Sequence, residues 1–154
     1  EKQVKAGGDW ESLKASERRA DEKYRTLDDL VLGLPALMRA AKLQKRAARV
    51  GFDWPDIDQV FKKVIEETRE LKEAKDLFQS DKITEEFGDL LFVLVNFGRH
   101  LNIDAEDALR KANAKFTRRF NYIECELAKY GSMPEQSSLQ EMEKLWNKSK
   151  SLKC

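Results

Sequence analysis

The chain has 154 residues, 37% charged and 41% hydrophobic, and a formal net charge of +1 from 29 basic and 28 acidic side chains. That length allows one domain with a proper core, and the balanced charge gives no general pull toward nucleic acid or a membrane surface. Three prolines and seven glycines disfavour a turn-rich all-β fold, and no apolar run approaches the roughly 18 residues of a transmembrane helix.

Two cysteines, Cys125 and Cys154, show neither metal-ligand spacing nor a disulfide framework, which suits a reducing, cytoplasmic setting. The N-terminus has no signal-peptide core. The chain opens on Glu1 rather than Met, so a piece of a longer protein is expected.

Residues 1 to 9 are polar and contain Gly7-Gly8, a lead-in. Residues 10 to 24 are charged and read as a loosely attached helix. From Leu34 the pattern firms. Pro35 is acceptable in a first helical turn, Gly51 is a stop, and Leu34, Leu37, Met38, Ala41 and Ala48 form an apolar stripe. "GFDWPD" is then a connection.

A second helix is expected from about Asp56 to Phe78, with Val60, Val64, Leu71, Ala74 and Phe78 on its apolar side. The step from Val64 to Leu71 lacks a core residue and holds Glu67 and Thr68 instead. A third helix, from about Ile83 to Leu101, is apolar nearly all round and is expected to be the buried one. Gly88 and Gly98 within it suggest close helix packing. The short polar link 79–82 makes the second and third helices an antiparallel hairpin.

A fourth helix runs from about Asp104, a plausible N-cap with Asp107 three residues on, to Tyr130 before Gly131. After a polar loop, residues 138 to 149 form a last helix with Leu139, Met142, Leu145 and Trp146. No internal repeat and no strand signal stand out, so the fold class is all-α, like a four-helix bundle.

Two acidic clusters interrupt the apolar stripes. "EETRE" holds Glu66, Glu67 and Glu70; "EFGD" holds Glu86 and Asp89. Side chains three or four apart on a helix are neighbours, so Glu67 with Glu70, and Glu86 with Asp89, can converge across the hairpin. Like charges at close range raise one another's pKa or push the helices apart. A divalent cation resolves the conflict, and hard oxygen donors point to Mg²⁺ or Mn²⁺. A ferritin-like di-iron site is a poor match, because it needs Glu-x-x-His twice and His100 is the sole histidine. In so charged a chain, acidic pairs also arise on ordinary solvated faces. Asp89 alone also fits a satisfied core group bonded to Asn96 or His100.

Basic and aromatic residues follow. Lys115 and Arg119 share a face of the fourth helix, with Phe116 and Phe120 expected in the core; Trp146 and Lys150 share a face of the last. Cations suit a polyphosphate and an aromatic ring can stack on a base. Each also has an ordinary reading, surface for the cations and packing for Trp146. Trp54 in the "GFDWPD" connection is an equally open aromatic candidate.

"EETRE", followed after 15 residues by "EFGD", resembles the E-E-x-x-E…E-x-x-D pattern of the all-α nucleoside triphosphate pyrophosphohydrolases. "KLQKRAARVGFDW", "EEFGDLLFVLVNFGRHL", "ALRKANAKFTRRF" and "MEKLWNKSK", in that order, resemble the MazG branch. The resemblance covers roughly residues 33 to 150. It implies a MazG-like helical domain over 33–154, a linker over 1–32, and a position as the second, C-terminal domain of a tandem protein. It implies a dimer that hydrolyses ribo- and deoxynucleoside triphosphates to the monophosphate and pyrophosphate with Mg²⁺. Glu67, Glu70, Glu86 and Asp89 would hold the metal and Glu66 would orient or deprotonate water. Lys115 and Arg119 would contact the phosphates, with Trp146 and Lys150 near the nucleotide. Two other readings stand beside it: a regulatory hydrolase of an alarmone or damaged nucleotide on the same site, and a non-catalytic helical interaction module.

Overall fold

The computed structural model describes residues 25 to 151; the helix expected over residues 10–24 lies outside them. Among the described residues there are five α-helices and no strand: α1 (Ala36–Arg49), α2 (Ile57–Asp76), α3 (Ser80–His100), α4 (Ala105–Ala128) and α5 (Leu139–Ser151). The described residues divide into two compact units, one ending at Asn102 and one beginning at Ile103.

In the first unit, α2 and α3 pair as the antiparallel hairpin and α1 packs on α3. Helix α1 starts after Pro35, whose carbonyl accepts the first helical bond from Arg39 N–H at 2.9 Å. It stops where Gly51 takes φ +88°, with Gly51 and Phe52 N–H returning to the Ala48 and Ala47 carbonyls. Only Gly tolerates that conformation without a Cβ penalty. The expected stripe on α1 is half-buried, and its one buried residue is polar, Gln44. Its Nε2 donates to the Phe92 carbonyl of α3 at 2.7 Å.

Helix α2 is capped by Asp56, whose carboxylate accepts from Gln59 N–H at 2.9 Å, a cap worth about 1 kcal/mol. Its buried residues are Val60, Glu67 and Ala74, at intervals of seven. That is the coiled-coil interval, and it keeps one row facing α3. Val60 is fully buried, which contributes about 1.5–3 kcal/mol. A glutamate occupies the core position between two apolar ones.

Four expectations about this hairpin are corrected. Phe78 is not a core residue: α2 ends at Asp76, and Phe78 adopts φ +55° and is 91% exposed. The next helix starts at Ser80 rather than Ile83, so the link is residues 77–79. Helix α3 is not buried all round: it buries Glu86, Val93, Val95 and Asn96 but leaves Phe87, Leu91, Phe92 and Leu94 exposed. Two neighbouring helices cannot cover a cylinder apolar on every side, so part of its surface stays unpartnered. Close packing does not explain Gly88 either, since a Cβ there would meet nothing within 4 Å.

In the second unit, Asp104 caps α4 by accepting from Asp107 N–H at 3.0 Å. Ser138 and Glu141 form a reciprocal capping box at the start of α5. Ile123, Leu127 and Ser149 are buried between α4 and α5, and Glu126 lies 3.9 Å from Lys148 across them. Phe116, expected in the core, is 58% exposed. It lies against Phe120 and the Trp146 ring, with centroids 6.1 and 5.3 Å away.

Candidate metal centre

The rows of seven on α2 and α3 place glutamates where a bundle would place leucines. On α2 the sequence is Val60, Glu67, Ala74; on α3 Glu86 precedes Val93 by seven. One carboxylate oxygen from each of Glu67, Glu70 and Glu86 lies within 4.8 Å of the other two. Glu67 and Glu86 are buried and Glu70 is half-buried.

The electrostatics show strain of one sign. Burial pushes the Glu86 carboxyl above its ordinary range, and the charge of Glu70 adds to the push. Lys82 pulls it back, while Glu67 and Glu85 raise it further. Glu66 is exposed on the rim. A hydrogen bond from Lys63 at 2.8 Å, and that lysine's charge, hold Glu66 below the carboxylate range. Lys63 Nζ also lies 2.7 Å from Glu67 Oε1, and Lys82 Nζ lies 3.8 Å from Glu86 Oε1.

Three of the four carboxylates expected as ligands therefore meet. Asp89 does not join them: it is exposed, on the turn of α3 after Glu86. Nor does it bond Asn96 or His100. Asn96 Oδ1 accepts from Arg99, and His100 Nε2 faces Asp53 at 3.3 Å.

The two lysines were missed in the sequence, although a signal is present. The arms read "KVIEETRE" over 63–70 and "KITEEFGD" over 82–89. Both are K-x-x-E-E-x-x-acid, so Asp89 is the counterpart of Glu70 with a side chain one methylene shorter.

All donors in the cluster are carboxylate oxygens, and buried like charges call for a cation. The residues present fit a hard divalent ion. Elsewhere in the unit, Trp54 is 36% exposed in the connection after α1, where Asp53 accepts from Arg99 Nη2 at 2.5 Å.

In the second unit Arg119 and Trp146 come together, the guanidinium carbon 5.3 Å from the ring centroid. That is within cation–π range. Lys115 is exposed, and Lys150 is exposed with its ammonium donating to Asn147 at 2.7 Å.

Residues 56–123 match the model of the MazG nucleotide pyrophosphohydrolase domain, a span that contains both arms of the cluster. The chain is 44% identical over 145 residues to the nucleoside triphosphate pyrophosphohydrolase of Escherichia coli (strain K12), covering 92% of this chain and 54% of that protein. It is 43% identical over 141 residues to the nucleoside triphosphate pyrophosphohydrolase/pyrophosphatase MazG of Thermotoga maritima, with the same coverage. It is 44% identical over 142 residues to YabN of Bacillus subtilis, covering 29% of that protein. The chain spans about half the length of the first two. The domain match spans both carboxylate arms and the identities run across nearly the whole chain, so the chain carries a MazG nucleotide pyrophosphohydrolase domain over residues 56–123.

Proposed function

We propose that the chain is a Mg²⁺-dependent hydrolase that converts ribo- and deoxynucleoside triphosphates to the monophosphate and pyrophosphate. The observation that carries this reading is the meeting of Glu67, Glu70 and Glu86 across the hairpin. The names of the E. coli and T. maritima relatives support it. Bound Mg²⁺, or Mn²⁺, would supply positive charge for the phosphate oxygens and lower the pKa of a water.

The protein's own contribution is positioning and electrostatics. Glu67, Glu70 and Glu86 would hold the ion, with Asp89 as a fourth ligand from the exposed edge. Glu66 takes the proton of the attacking water. Its hydrogen bond to Lys63 must open for this, because a carboxylate stabilised as the anion is a weak proton acceptor. Lys115 and Arg119 offset phosphate charge. Trp146 and Lys150 bind the nucleotide, as does Trp54 in its connection.

We further read the working form as a homodimer in the cytoplasm, of a protein whose other part is an N-terminal MazG domain. Phe87, Leu91 and Leu94 are exposed at steps of four and three along α3, and the Phe61 ring of α2 lies tilted against Phe97, with centroids 5.8 Å apart. A second copy covers this row, since contiguous exposed apolar surface marks an interface. None of the described helices is long and apolar enough to cross a membrane.

The activity is tested by incubating the protein with each common nucleoside triphosphate and Mg²⁺ and following pyrophosphate. Mg²⁺-dependent release is expected; none with any substrate would overturn the reading and leave a helical interaction module.

A further inference from the structure

We propose that Lys63 and Lys82 are resident counter-cations of the carboxylate cluster, which hold its glutamates while no metal is bound and release them when a divalent ion enters, and so set the cluster's affinity for that ion. This rests on the metal-binding reading above.

Each arm of the hairpin carries a lysine four residues before its buried glutamate. Lys63 Nζ lies 2.7 Å from Glu67 Oε1 and 2.8 Å from Glu66 Oε1, and Lys82 Nζ lies 3.8 Å from Glu86 Oε1. The arms run antiparallel through the link at 77–79. Lys63 therefore sits one turn farther from that link than Glu67, and Lys82 one turn nearer to it than Glu86. The two ammoniums bracket the cluster along the hairpin axis.

Helix stability does not explain these placements. For pairs four apart, the stronger order has the glutamate first, and here both lysines come first. Lys82 is moreover the third residue of α3, where the helix dipole opposes a cation. What the placements do answer is the cluster itself, where three carboxylate oxygens lie within 4.8 Å and two of the side chains are buried. Two ammoniums against three carboxylates leave the cluster net negative, which is the condition for a divalent ion to displace them. An ammonium offers only hydrogen-bonded contact at one side of each carboxylate. A metal ion replaces both with two charges at one point and direct coordination.

The lysines therefore oppose the metal: any ion that binds must first break their ion pairs. Replacing them removes a competitor. The test is Mn²⁺ binding by the nucleotide-free protein, with free Mn²⁺ read from its electron paramagnetic resonance signal, for wild type, K63M, K82M and K72M. Lys72 pairs with Asp76 on the same helix and controls for the loss of one positive charge. K63M is expected to bind Mn²⁺ about fivefold more tightly, the upper end for a partly exposed ion pair. K82M, with its longer contact, should gain about twofold, and K72M should stay near wild type. The metal-free melting temperature of K63M should fall and its rise on adding Mn²⁺ should grow. K63R, which keeps the charge, should stay near wild-type affinity.

Unchanged or weaker Mn²⁺ binding in both K63M and K82M, with wild type binding measurably, overturns this inference and leaves the metal site standing. Absence of Mn²⁺ binding in wild type overturns both. If K63M does not fold, K82M and K63R decide alone: tightening in the first without change in the second supports the inference, and any other pair of results overturns it.

Discussion

Asp53 Oδ1 accepts a hydrogen bond from Arg99 Nη2 at 2.5 Å, joining the connection after α1 to the last turn of α3 across 46 positions of chain. His100 Nε2 lies 3.3 Å from the same oxygen, and Arg99 also grips Asn96 Oδ1. Both charged partners are partly buried, at 22% and 25% exposed. D53N is expected to lower the unfolding free energy by about 1 kcal/mol, as for a charge-assisted bond partly screened by solvent. Urea titration of wild type, D53N, R99M and the double variant should give a double-mutant cycle with coupling of that size.

The same contact predicts acid sensitivity. Burial pushes Asp53 up, but the bonds from Arg99 and His100, the Arg99 charge and the Trp54 N–H outweigh it and lower its pKa from 3.8. A carboxylate with a depressed folded pKa stabilises above its unfolded value and loses that stability as pH falls through the folded one. The D53N difference should therefore be full above pH 3.8 and shrink below it.

Glu86 has the opposite sign. Its pKa is raised from 4.5, first by burial and then by Glu70. The folded chain thus holds this proton where the unfolded chain has lost it. Metal-free stability should fall as pH rises from 4.5 through the folded value, and E86Q should flatten that fall. Thermal melting across pH 4 to 8 in chelator checks it, and saturating Mg²⁺ should reverse the slope because the ion favours the carboxylate.

E67Q and E86Q should each lower Mg²⁺-dependent pyrophosphate release by about a hundredfold or more, the scale for loss of a central electrostatic group. E85Q, on the exposed side of α3, should remain near wild type. Near-full turnover in E67Q and E86Q would show that these carboxylates do not hold the ion.

Leu91 lies in the middle of the exposed apolar row of α3. Sedimentation at micromolar concentration should give twice the 17.9 kDa chain mass. L91K should give the single-chain mass, since a desolvated lysine opposes burial.

Phe78 holds φ +55° with its ring 91% exposed, so it incurs backbone strain with little packing in return. A left-handed residue with a Cβ costs about 1–2 kcal/mol, and glycine loses part of that gain to chain entropy. F78G should therefore raise stability by about 0.5–1 kcal/mol in urea unfolding.

The hairpin and its acids were legible because period is a local property. The absent apolar step at Glu67 became a buried glutamate in a row with Val60 and Ala74. Phe78 misled because an apolar residue at the right step continues a pattern beyond the point where the backbone reverses. Phe116 and the exposed side of α3 misled for a related reason: apolarity says a surface avoids water, not that this chain covers it. Lys63 and Lys82 went unread because surface lysines carry no signal singly; only the two arms laid side by side show the shared register. Asp53 with Arg99 needed the tertiary structure, since 46 positions separate them.

The three-residue link between α2 and α3 also sets when the cluster comes into being during folding. Glu67 and Glu86 are 19 positions apart, and the whole hairpin is continuous chain. Closing so short a span is fast, so the anions meet before distant parts of the sequence arrive. The repulsion is then a kinetic obstacle to the nascent hairpin as well as a property of the finished site. The pairs of Lys63 and Lys82, each formed within a single helical turn, are ready at that moment, before any ion has a pocket to enter.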